Sequence, residues 1–99
     1  MGSGGTLPLR TGKFTSDGAI RTVETPGFTP KRVEFVNETN AARGVWQDTM
    51  PDLMVHTSEA GTDAVATTDG VTPTDEGFTL GANAVLNTDT EEIHWTAFG

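Results

Sequence analysis

The sequence predicts an all-β domain, either an antiparallel β-sandwich or a jelly-roll-like small barrel. Eighteen threonines against three methionines, with twelve glycines and five prolines spread through the chain, favour extended segments and leave little room for a long helix. Turn signals recur every eight to twelve residues or so, the spacing of short strands in sandwiches and barrels. The stretches between them alternate apolar and polar residues, the period-2 pattern of a half-buried strand.

Taken in order, Ser16-Asp17-Gly18 is a tight-turn signal between two threonine-rich runs, Lys13 to Thr15 and Ala19 to Thr25, which predicts a hairpin. Thr25-Pro26-Gly27 and Thr29-Pro30 then interrupt the chain twice, because each proline holds itself and its predecessor in extended or turn geometry. The strand predicted over Lys31 to Val36 therefore has a defined start, with Val33 and Phe35 on one face and Arg32 and Glu34 on the other. Asn37 to Asn40 reads as a polar turn.

Gly44 to Asp48 is predicted as a short strand containing Trp46, and Pro51 forces a loop over Asp48 to Asp52 in which Met50 fills a gap. Leu53 to Thr57 returns as a strand with Leu53 and Val55 on one face, and Ser58 to Gly61 turns the chain. Asp63 to Thr68 is a weakly patterned strand, Asp69-Gly70 is another turn, and Pro73 restricts Val71 to Thr74 to a sheet edge or an irregular stretch. Phe78 to Leu80 is a strand followed by a turn at Gly81 to Asn83. Glu91 to Phe98 is the best-patterned strand, placing Ile93, Trp95 and Ala97 on one face and Glu92, His94, Thr96 and Phe98 on the other.

Ninety-nine residues fit a single domain, expected over residues 12–99, preceded by a flexible arm over residues 1–11. The chain has no cysteine, hence no disulfide, thiolate nucleophile or cysteine-based zinc site. No apolar run approaches the roughly 18 residues of a membrane-spanning helix. The formal charge of −8 is uneven: residues 1–43 hold all six basic side chains and four acidic ones, a net of +2, whereas residues 44–99 hold ten acids and no Lys or Arg. Strands from both halves must pair, so the fold is expected to bring the two charge distributions together. No basic stripe interleaved with aromatics is present, which argues against direct binding to nucleic-acid phosphates.

Catalytic signals are weak. A carboxylate beside a histidine can act as a general base or metal ligand, and Glu91, Glu92 and His94 lie together in sequence. Strand alternation nonetheless sends Glu91 to the face opposite Glu92 and His94, and His56 is the only other histidine. Asn87 to Glu91 spaces oxygen donors as calcium loops do, yet Glu92 stands where such a loop needs glycine, so a turn is expected. None of Ser3, Ser16 and Ser58 sits in a nucleophile elbow. The expectation is a protein that is not an enzyme and needs no cofactor or metal. Trp95 is expected in the core and Trp46 at a partner interface.

The order of short motifs resembles that of small virion proteins of tailed double-stranded DNA bacteriophages. The resemblance runs through Gly12, Phe14, Thr15, Asp17 and Gly18; Gly27 to Pro30 with Val33, Asn37 and Thr39; and Trp46 with Asp48 to Met50. It continues through Ala60 to Thr62, Asp75 with Gly77 to Leu80, and Ile93 to Trp95 with Ala97 and Phe98, covering residues 12–98. It implies a head decoration or cement protein on the outer surface of the capsid, contacting the major capsid protein and copies of itself, commonly as a homotrimer. Leu9, Arg10 and Lys13 in or beside the arm, Trp46, Met50 and His94 are the expected interface residues. Similar GFTP and DGFTLG fragments occur in phage tail and fibre proteins, so the alternative is a tail-fibre or head-fibre module that recognises host carbohydrate.

Overall fold

The computed structural model describes residues 8–25, 27–50, 54–59 and 61–99. Among these residues nine strands are formed: β1 (Leu9–Thr15), β2 (Arg21–Glu24), β3 (Arg32–Asn37), β4 (Ala42–Gln47), β5 (Val55–Glu59), β6 (Thr62–Ala66), β7 (Val71–Thr74), β8 (Gly77–Leu80) and β9 (Glu92–Phe98). They build two antiparallel sheets, one of six strands in the order β1-β9-β3-β4-β5-β6 and one of three in the order β2-β8-β7. Both sheets have open ends, so the architecture is a β-sandwich and not a closed barrel.

Between the sheets lies a core in which Val33, Phe35, Trp46, Val55, Phe78, Leu80, Ile93 and Ala97 are almost wholly buried. Phe78 from the small sheet stands edge-on to both Phe35 and Trp95 of the large one, with ring centroids 5.7 Å apart in each case. Such edge-to-face pairs add about 0.5–1.5 kcal/mol each beyond their buried area. Gly12 makes this packing possible, because a Cβ there would come within 2.6 Å of the Trp95 indole. The small sheet thus lies over β1, β9 and β3.

Over β4 and β5 the cover is a loop, residues 81–91. Leu86 drops from it onto β4 and occupies the space that a side chain at Gly44 would need. Buried asparagines hold this loop. The Asn83 carboxamide oxygen caps a single helical turn by accepting the N–H groups of Val85 (2.8 Å) and Leu86 (2.9 Å). Asn87 accepts from Ser16 Oγ at 2.5 Å and donates to the carbonyls of Ala19 (2.7 Å) and Gly81 (2.9 Å). Asn37, fully buried at the end of β3, donates to the Val85 carbonyl (2.8 Å) and to Glu91 Oε1 (2.6 Å). Thr90, in the same loop, adopts a φ of 71°, an uncommon left-handed conformation for a β-branched residue.

Several expectations are corrected. Ser16-Asp17-Gly18 does turn the chain, but it carries it from one sheet to the other: β1 pairs with β9 and β2 with β8, so the expected hairpin does not form. Phe14 and Val23 instead both point into the core from opposite sheets, so the turn lets each flanking strand bury an apolar side chain against the other layer. The boundary placed at residue 11 also moves. Leu9, Arg10 and Thr11 are strand residues paired with Phe98, Ala97 and Thr96, while residues 1–7 of the expected arm lie outside the described residues. The strand expected from Leu53 runs instead from Val55 to Glu59, and Leu53 is likewise outside the described residues. Val33 and Phe35 share the inner face as the alternation predicts, as do Ile93, Trp95 and Ala97. Pro73 lies in β7, an edge strand.

Candidate interaction surface

The large sheet has an outer face turned away from the core, and the strand registers define its rows. One row runs Leu9, Phe98, Arg32, Gln47; the next Thr11, Thr96, Glu34, Val45, His56, Val65; the third Lys13, His94, Val36, Arg43, Ser58, Asp63. Leu9, Val36 and Val65 stand about half exposed on this face at 53%, 45% and 53%. A shallow open depression of about 470 Å³ lies across the middle of the sheet, where Val36, Val45, Arg43, His56 and Asp63 converge.

Charged groups on the face are mostly tied to near neighbours. Arg32 Nη2 lies 2.9 Å from Glu34 Oε2, and Arg32 Nη1 also donates to Gln47 Oε1 at 3.1 Å. Lys13 Nζ is 3.8 Å from Glu92 Oε1, and Thr15 donates to Glu92 Oε2 at 3.2 Å. His94 Nε2 contacts the carboxylate of Glu38. Pairs this exposed contribute at most about 1 kcal/mol each, so they shape the surface more than they stabilise the fold.

The three ionisable residues of the terminal cluster therefore turn to separate partners: Glu91 to Asn37, Glu92 to Lys13 and Thr15, and His94 to Glu38. In the calcium-like stretch, Asn87 and Glu91 both turn inward to protein partners, and Thr88 donates to the Ala84 carbonyl. Among the described residues no group of three or more His, Asp or Glu side chains is arranged to hold a metal ion.

Of the six residues expected at an interface, Leu9, Lys13 and His94 share the outer face. Arg10 is exposed on the same strand but alternates to its other side, opposite Ala97. Trp46 requires correction: it is 1% exposed and belongs to the core between the sheets, because β4 takes it to the same face as Val33 and Val55. Its indole N–H finds no acceptor among the described residues. Met50 lies just after β4. It is half-buried against the core, and its sulfur accepts the Gln47 N–H at 3.3 Å, the gap-filling role its loop position suggested. Val36, Val45, His56 and Val65 were missed, although period-2 alternation from Val33 and Phe35 would have marked Val36 as outward.

Compared with known protein families, curated proteins and solved structures, the chain matches none.

Proposed function

We propose that this chain is a virion structural protein of a tailed bacteriophage, a head decoration protein that docks on the outer surface of the capsid and associates with copies of itself. The observation that carries the reading is the outer face of the six-stranded sheet. It is a broad antiparallel surface on which Leu9, Val36 and Val65 stay exposed among the ion pairs Lys13–Glu92, Arg32–Glu34 and His94–Glu38, a mixture suited to a protein surface more than to a small polar substrate. The order of motifs along residues 12–98 supports the same reading. The capsid partner would be the major capsid protein, and the self-association a trimer.

The tryptophans lend the carbohydrate-binding alternative no support, because stacking on sugars needs exposed aromatic faces and both are buried, Trp46 at 1% and Trp95 at 9% exposure. The test is addition of the purified chain to expanded, undecorated phage heads, followed by copy counting and imaging. Saturable binding of hundreds of copies per head is the expected result. Absence of head binding, with the chain found in few copies at the tail or on sparse fibres of intact virions, would overturn it.

A further inference from the structure

Among the described residues the six-stranded sheet ends in two open edges, and they differ in charge. β1 carries Arg10 and Lys13, both exposed; β6 carries the exposed Asp63, with Glu59 exposed beside it at the end of β5. The edges of the small sheet are blunted in familiar ways, by Arg21 and Glu24 on β2 and by Pro73 on β7. The sequence of β6, Thr-Asp-Ala-Val-Ala, has neither proline nor lysine, and its first four residues are exposed. An extended edge of this kind is a template for pairing with another strand.

The pairing lattice makes β1 the complement of β6. The row that begins at Lys13 on the β1 edge runs unbroken through His94, Val36, Arg43 and Ser58 to Asp63 on the β6 edge. The row beside it likewise begins at Thr11 and ends at Val65. Six strands, each antiparallel to the next, leave β1 and β6 running in opposite directions. A second copy continuing the sheet would therefore meet β6 with an antiparallel β1, and the alternation of hydrogen-bonded and non-hydrogen-bonded pairs would carry across without a slip.

We infer that β6 of one copy pairs with β1 of a second copy, head to tail, setting Asp63 opposite Lys13 of the second copy and Val65 opposite its Thr11. Charge selects this over the two symmetric alternatives. Joining β6 to β6 would offer Asp63 no basic residue, and joining β1 to β1 would offer Arg10 and Lys13 no acidic one, whereas opposite charges across the head-to-tail strand pair attract. Lys13 has room to reach, being 66% exposed and, among the described residues, held by the 3.8 Å contact with Glu92 alone. A head-to-tail contact closes into a ring or continues as a filament, and a trimer is the smallest ring larger than a pair. The inference deepens the self-association in the virion reading, but it is tested on the purified chain without any capsid.

The experiment is sedimentation over a concentration series for the wild type, Asp63→Lys, Lys13→Asp, the double variant and a one-to-one mixture of the single variants, with circular dichroism to verify folding. The wild type is expected to associate, and each single variant to associate roughly tenfold more weakly, about 1.4 kcal/mol. Asp63→Lys is the sharper of the two, because it lowers the net negative charge and would strengthen association if overall repulsion were the only determinant. The mixture and the double variant each restore the opposite-charge contact and should recover association. A wild type that stays monomeric at every concentration, or a Lys13→Asp variant that associates as the wild type does, would overturn the inference. Either result leaves occupancy on phage heads to be read on its own, so failure of the edge contact is distinguishable from failure of the virion reading.

Discussion

β9 and β6 belong to the same sheet, yet β9 buries every second residue whereas β6 leaves its first four exposed. The two differ in what surrounds them. β9 lies between β1 and β3 and under Phe78 of the small sheet, so both its edges and its inner face are covered. β6 has one neighbour, β5, and lies at the far end of the sheet from the strands on which Phe78 packs. Strand pairing alone can thus extend a sheet past its hydrophobic core, but the strand added last is held mainly by backbone hydrogen bonds, each contributing on the order of 1 kcal/mol.

The contrast can be broken most severely at its covered end. Phe78→Ala removes the ring that contacts both Phe35 and Trp95 and should cost about 3–5 kcal/mol, read as a lowered denaturation midpoint. Asn87→Ala comes next. It leaves the carbonyls of Ala19 and Gly81 without their side-chain donor and releases the loop that covers β4, for an expected loss of about 2–3 kcal/mol by the same measurement. Val65→Thr in β6 should change stability by less than about 0.5 kcal/mol in dilute solution, because the side chain is already half exposed and threonine pairs well in strands. A loss at position 65 as large as that at position 78 would mean that β6 is covered within a single copy, and the comparison between the two strands would fail.

How far the sequence could be read follows the same division. The facing of β3 and β9 was legible because alternation is a property of consecutive residues: Val33 with Phe35, and Ile93 with Trp95 and Ala97, meet the core wherever the strand pairs. The outer-face positions of Lys13 and His94 follow in the same way. The interface assigned to Trp46 failed because β4 alternates poorly in sequence, and its facing was set by Val33 on one side and Val55 on the other. Asn37 was read as a turn residue, and nothing local distinguishes an asparagine that faces water from one that is fully buried and bonded to Val85 and Glu91.

The sequence by itself determined the all-β class, the approximate strand boundaries, the proline-marked edge at β7 and the inward faces of the best-patterned strands, since propensity, turn chemistry and alternation all act over a few residues. Tertiary structure decided which strands pair. It divided the expected hairpin between two sheets, drew Leu9 to Thr11 into β1, carried Trp46 into the core, and set Lys13 and Asp63 at opposite ends of one row. Those outcomes depend on contacts between residues up to tens of positions apart, where the free energy of burying one face is shared among strands that no local window contains.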